Sequence, residues 1–198
     1  MSSKEKNYQD DRKLADKFES EIKCICGEVF IKTAPFEVDC NEATDLLVLQ
    51  LKPFAIACRV RRYENFLKYP TDFTIRSERP VGTKTELAKI CDGWCDYIFY
   101  SFCDKNEKSL ISWFVGDLNI FRQEFKKDCL LINKNISRIR WIEKKNRDNS
   151  SSFYAFDLIS FPKEFILQNN QNHRQLLSNA RTKREKEEFT KEAIELFC

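Results

Sequence analysis

The chain has 198 residues, of which 42% are hydrophobic and 13% aromatic, which is enough to bury the core of one domain. No apolar run approaches the roughly 20 residues that span a bilayer, and the start lacks a secretion signal, so we expect an intracellular, cytoplasmic protein without a membrane partner. The net charge of +3 conceals two basic blocks: residues 52–89 contain nine Lys or Arg against four Asp or Glu, and residues 122–147 contain nine against three.

The first part of the chain predicts one helix and the beginning of a sheet. Apolar residues recur at helical spacing from Leu14 to Ile25, and Gly27 is expected to end this helix. Runs rich in apolar and β-branched residues then predict neighbouring strands at residues 46–51 and 54–61. Shorter strands are predicted at residues 29–31 and 73–76, the second after a proline-containing loop over 63–72.

Turn chemistry at residues 79–82 precedes a capping box, Thr83-x-x-Glu86, which predicts a helix that ends at Gly93. The remaining pattern predicts strands at 94–102, 110–115 and 153–159, a helix at 117–125 and an exposed charged helix from His173 onward. We therefore expect an α/β fold with a mixed central sheet flanked by helices in residues 1–125. Residues 126–198 are expected to form a basic, helical extension that packs on this core.

Cysteine and histidine usage argues against several kinds of chemistry. The nine cysteines lack the doubled C-x2-C spacing of a zinc site, and an odd number cannot pair fully within one chain, so we expect reduced thiols. The single histidine, His173, lies in a polar run, which makes histidine-based metal centres and Cys/His nucleophiles improbable.

A candidate phosphodiester site lies on the two strands predicted at 46–51 and 54–61. Asp45 opens the first, and Arg59 and Arg61 lie near the end of the second. A carboxylate at a strand end suits Mg²⁺, and guanidinium groups on the next strand suit phosphate oxygens. The alternative is a strand-capping aspartate beside solvated arginines.

The order helix, three strands, helix, strand around Asp45 resembles the core of the PD-(D/E)XK nuclease superfamily. In that family an acid begins one strand and Glu-x-Lys lies on the next, and together they hold Mg²⁺ and a water beside the scissile phosphate. Asp45 matches the first acid, whereas the following strand offers Ala57-Cys58-Arg59 or Arg59-Val60-Arg61, a base without the acid. Some members carry the missing acid on the neighbouring helix, where Glu86 and Lys89 lie three residues apart.

The resemblance implies a restriction-endonuclease-like core and a metal-dependent nuclease. Asp45 with Glu86, or with a first-helix acid such as Glu21, would hold Mg²⁺, while Arg59, Arg61 or Lys89 would stabilise charge on the phosphate. An alternative role for Glu86 is to complete the capping box. The chain is also similar to uncharacterised phage-type proteins, through its segments at residues 43–46, 56–62, 73–77 and 89–97. That similarity implies a mobile-element context and no particular activity.

The expected partner is a nucleic acid, with DNA favoured over RNA. Basic side chains near two strand ends and a helix N-terminus form the expected phosphate-binding surface: Arg59, Arg61, Arg76, Arg79 and Lys84. Two alternatives to the nuclease stay open, namely an inactive nucleic-acid-binding module of the same fold and a phage accessory protein that acts through protein contacts.

Overall fold

The computed structural model describes residues 12–33, 46–48, 54–78, 84–131, 138–146 and 151–197, and in these ranges nine strands form three sheets. The strands are β1 (Ile31–Thr33), β2 (Leu46–Val48), β3 (Ile56–Arg61), β4 (Asp72–Glu78), β5 (Tyr97–Cys103), β6 (Leu110–Asp117), β7 (Trp141–Lys145), β8 (Ser152–Asp157) and β9 (Ile166–Asn169). Residues 12–17 are helical and precede α1 (Glu19–Phe30), α2 (Tyr63–Lys68), α3 (Glu86–Cys91), α4 (Leu118–Leu131) and α5 (Gln171–Phe197).

The central sheet has the order β3-β5-β6-β9 and is mixed. β3 runs parallel to β5, whereas β6 is antiparallel to both β5 and β9. A parallel pair needs a long crossover, and here the crossover contains α2, β4 and α3. The expected α/β fold with a mixed central sheet is therefore confirmed.

Both faces of the central sheet are covered, as the run of apolar residues in β5 predicts. Phe99 faces the N-terminal helical segments and packs with Leu14, Phe18 and Ile22. Tyr100 faces the opposite side, because successive side chains of a strand alternate between the two faces. The sheet is thus the middle layer of the fold.

The second face carries an antiparallel sheet of order β4-β8-β7 and an aromatic core. Phe73 on β4 is fully buried at the centre of that core. Its ring centroid lies 5.2–6.2 Å from six other rings, those of Tyr100, Phe114, Phe121, Phe156, Phe161 and Phe165. Ring pairs at such separations stabilise a core beyond the area that they bury. This packing holds β4 against the central sheet.

Strands from both halves of the chain share these sheets. β8 pairs with β4, and β9 pairs with β6. The long helix α5 follows β9 and buries Leu177 in the aromatic core. None of the helices in the described ranges is both long enough and apolar enough to cross a membrane.

Four local predictions were wrong. The first helix continues through Gly27 to Phe30, because Val29 and Phe30 are buried and extend its apolar face, so the strand predicted at 29–31 begins only at Ile31. The loop predicted over 63–72 contains α2. Within the described residues, β2 pairs with β1 and β3 with β5, so the two strands that we expected to be neighbours have other partners. Thr85, rather than Thr83, caps α3.

The polar run around His173 contains a buried residue. The His173 side chain is 1% exposed, stacks on Phe114 at 5.3 Å and shares a hydrogen bond of 2.9 Å between Nδ1 and the Ser112 hydroxyl. The described residues offer no hydrogen-bond partner to Nε2. Burial lowers the pKa of His173 to about 4, so the imidazole is neutral at physiological pH.

We predict that His173 makes the protein less stable in acid. Between its ordinary pKa of 6.5 and about 4, the unfolded chain binds a proton at this residue and the folded chain does not, so stability falls as the pH falls. The loss amounts to about 3 kcal/mol. The measurement is urea unfolding of the wild type and His173→Gln at pH 7.5 and pH 4.

The difference between these two proteins isolates His173. The pKa of Asp72, raised to about 6 by burial and by Asp157, favours the folded state as the pH falls, but this contribution is common to both proteins. The wild type should therefore lose about 3 kcal/mol more than the variant on acidification. Equal losses would show that folded His173 accepts a proton as readily as unfolded His173.

Candidate nucleic-acid-binding cleft

A cleft of about 440 Å³ lies where β3, β4 and α3 meet. In the described part of the central sheet β3 is an edge strand, so its side chains border the cleft from Ala57 to Arg61. The charged lining of the cleft consists of six cations, Arg12, Arg59, Arg61, Arg76, Lys84 and Lys89, and one carboxylate, Glu86. The cleft is therefore strongly basic.

An ion pair between Arg59 and Glu86 joins the three elements. Arg59 Nη2 lies 2.5 Å from Glu86 Oε2, and Arg59 Nη1 donates to the carbonyl of Thr74 at 3.2 Å. The same Glu86 oxygen accepts the backbone N–H of Arg76 at 3.1 Å. The two charged side chains are 23% and 25% exposed, so water screens them only in part. The pair thus links β3 to β4 and to the start of α3.

Several of the other cations keep their charge uncompensated. Arg61 donates to the Asn65 side chain at 3.2 Å, and the Lys89 amine lies 5.6 Å from the centre of the Trp94 ring. Lys84 pairs with Asp92, and both side chains are well exposed. Among the described residues, Arg12, Arg61 and Lys89 have no carboxylate within ion-pair distance. These positions remain available to an anion.

The two thiols of the cleft, Cys58 and Cys95, have raised pKa values. Burial raises the pKa of Cys58 to about 11, and burial also raises the pKa of Cys95. Both thiols are consequently protonated at neutral pH, whereas the thiolate is the reactive form. No group of three or more His, Cys, Asp or Glu side chains in the described ranges could hold a metal ion.

The structure brings six predicted site residues to this cleft: Arg59, Arg61, Arg76, Lys84, Glu86 and Lys89. Glu21 does not border it, since its Oε1 accepts the backbone N–H of Leu110 at 3.3 Å, at the beginning of β6. Asp45 and Arg79 lie outside the described residues. Four of the five bases of the expected phosphate-binding surface therefore lie together, whereas Arg79 and the acid Asp45 are outside the described residues.

The predicted capping box was also wrong about Glu86. The Thr85 hydroxyl accepts the backbone N–H of Ala88 at 3.2 Å, which makes Glu86 the first residue of α3 rather than the third. From that position the Glu86 carboxylate pairs with Arg59 and accepts the backbone N–H of Arg76. Glu86 therefore has a role that we did not foresee, as the counter-ion of a cleft arginine.

Sequence reasoning missed several residues of the cleft lining. Arg12 comes from the N-terminal helical segment, and Asn146, Ser151 and Phe153 flank the β7–β8 connection. Arg12 belongs to an acidic stretch of sequence, and the other three residues lie about 60 positions from the nearest cleft residue of α3. No local pattern connects them to the site, because only the folded chain brings them together.

Comparisons with protein-family models, with curated proteins and with solved structures found no match. The chemistry of the cleft is therefore interpreted from its own geometry and charge.

We predict that Arg59 and Glu86 make coupled contributions to the free energy of unfolding. Removing one partner leaves the other partly buried without its counter-charge, so Arg59→Met and Glu86→Gln should each lower the free energy of unfolding by about 1–3 kcal/mol. The double variant should lose less than the sum, with a coupling energy of about 1 kcal/mol or more. Urea unfolding of the four proteins measures this cycle.

The exposed pair Lys84–Asp92 provides the matched control. Its coupling energy in the same type of cycle, with Lys84→Met and Asp92→Asn, should stay below about 0.5 kcal/mol. If both cycles give the same small coupling, Arg59 and Glu86 do not hold the three elements together.

Proposed function

We propose that the cleft binds the phosphate backbone of a nucleic acid. The observation that carries this proposal is the charge of the lining, where six cations from four separate parts of the chain surround one carboxylate that is already ion-paired. Like charges so close repel one another, and a polyanion relieves that repulsion while it releases its own counterions. Guanidinium groups provide forked donors that match phosphate oxygens.

The second candidate is metal-dependent cleavage of the bound strand. It is favoured by the position of Glu86, whose Oε2 accepts both described hydrogen bonds, leaving Oε1 without a hydrogen bond in the described part of the chain. Mg²⁺ commonly uses one or two carboxylates together with substrate phosphates. In this candidate Asp45 and Glu86 would hold the ion, whose chemistry would be to lower the pKa of a bound water and to neutralise phosphate charge, and Arg59 would stabilise charge that develops on the phosphate.

The fold gives this second candidate some support. β3 lies parallel to β5, and the crossover between them contains α3, which carries Glu86 and Lys89. The order helix, three strands, helix, strand that we expected of a restriction-endonuclease-like core is present here with α2 and β4 inserted before α3. For this reason we also propose that the fold is of the restriction-endonuclease-like type.

For binding, we predict a salt dependence that follows the cleft cations. Replacing Arg12 and Arg61 by serine should lower the magnitude of the slope of log K against log salt by roughly 0.7 to 0.9 for each phosphate that the variant no longer neutralises. Lys105 and Lys108, exposed in the β5–β6 connection, give a control of equal charge change. Fluorescence anisotropy with labelled DNA and RNA oligonucleotides at 50–200 mM salt, roughly the range in which such slopes are resolved, is the measurement.

Equal slopes for the two double variants would place the binding surface elsewhere. Absence of binding to either nucleic acid by a folded wild type at low salt would end both candidates. An accessory protein that acts through protein contacts would then be the remaining interpretation.

For cleavage, we predict that Glu86→Gln lowers cleavage without weakening binding of the nucleic acid. If Glu86 holds Mg²⁺, Glu86→Gln should lower Mg²⁺-dependent cleavage on the order of 100-fold, because several kcal/mol of transition-state stabilisation is removed. Binding should persist or strengthen, since the variant frees Arg59 from its counter-ion. Asp45→Ala should likewise lose cleavage, and gel analysis of labelled strands with Mg²⁺ or with EDTA measures both. Cleavage by both variants at the wild-type rate would contradict the metal assignment.

A further inference from the structure

An exposed tryptophan lies at the rim of the cleft. Trp94 is 62% exposed, and the Lys89 amine over its ring belongs to a residue that lines the cleft. In the described ranges, the only other aromatic side chain among the strongly exposed large apolar residues is Tyr69, which does not line the cleft. The position of Trp94 beside the basic lining therefore sets it apart.

Hydrogen bonds of the backbone position the residue that carries this ring. Gly93 has φ of 85°, a conformation that favours glycine and ends α3. The N–H groups of Gly93 and Trp94 donate to the carbonyls of Ile90 and Lys89 at 3.0 and 3.1 Å. Trp94 therefore follows a hydrogen-bonded helix C-terminus, and its indole is exposed to solvent.

We propose that the cleft takes single-stranded nucleic acid and that Trp94 is a stacking platform for one unpaired base. The inference rests on the proposed function, because it specifies the strand type of the same site. Base faces in a duplex are covered by neighbouring base pairs, so an exposed indole can stack only on a base that is unpaired. Every base has such a face, so no sequence preference is required.

The geometry around Trp94 combines the two contacts that a single strand offers. Lys89, whose amine lies over one face of the ring, meets a backbone phosphate, while the other face of the indole meets the adjoining base. Phe153, half-buried in the cleft lining and opposite Arg76 in the β4–β8 pairing, supplies a second ring. Aromatic rings next to a basic groove are the usual means of holding single strands.

The test compares three ligands of equal length, each labelled for fluorescence anisotropy: an oligothymidylate of about 15 nucleotides, an abasic deoxyribose-phosphate strand and a DNA duplex. We expect the wild type to bind the oligothymidylate tightest. Trp94→Ala should weaken that binding roughly 5- to 150-fold, the range measured for one stacked base, and should leave binding to the abasic strand unchanged. An oligouridylate of the same length shows whether RNA is accepted as well.

Two control variants make the test specific. Trp94→Phe keeps an aromatic face and should restore most of the affinity for the oligothymidylate. Tyr69→Ala removes a comparably exposed ring outside the cleft and should have no effect.

Equal affinity of the wild type for all three ligands, with no effect of Trp94→Ala, would overturn the single-strand inference and leave phosphate binding intact. Tighter binding to the duplex would overturn it as well. If no ligand binds at low salt, the proposed function itself fails.

Discussion

The parallel pairing of β3 with β5 is the constraint on which the cleft depends. Two parallel neighbours cannot be joined by a tight turn, so the chain must leave the sheet and return over one face. The crossover does so through α2, β4 and α3, which places β4 and α3 beside the exposed edge of β3. Polar side chains from three elements then meet at one edge, and Arg59 contacts both Thr74 and Glu86 there.

The aromatic core makes this arrangement rigid. β4 has its partner β8 on one side, and its buried face is fixed by Phe73, whose ring touches residues from both sheets and from α4. A close-packed cluster of this kind resists sliding, because any displacement of β4 would open cavities among the rings. The positions of Thr74 and Arg76, which alternate with the buried residues Phe73 and Ile75, are therefore set by the core.

The sequence was sufficient to predict what depends on local pattern. The alternating apolar residues of β4 and the apolar runs of β5 and β6 indicated strands, and Gly93 indicated a helix end, because these signals are carried by neighbouring positions. Boundaries failed where burial extended an element, as at Val29 and Phe30. The strand partners of β3 could not be predicted, since pairing between segments about 40 residues apart is decided by the whole fold.

The residues of the candidate site also divide into those that a local sequence pattern identified and those that only the folded chain brings to the cleft. Arg59, Arg61 and Lys84 were identifiable because they belong to a basic block of the sequence. Arg12 was not, because it comes from an acidic segment and reaches the cleft only through the packing of Leu14 and Phe18 under the sheet. The role of Glu86 depended on which threonine caps α3, a difference of two residues that propensity does not resolve.

Glu86 also explains how so basic a cleft is compatible with a stable fold. Bringing six cations together has an electrostatic cost, and the partly buried carboxylate of Glu86 offsets part of it. It neutralises only Arg59, so the cleft retains an excess of positive charge toward solvent. Among the described residues Arg12, Arg61 and Lys89 have no carboxylate within ion-pair distance, and their charge is the basis of the proposed binding of a polyanion, while Glu86 stabilises the folded site.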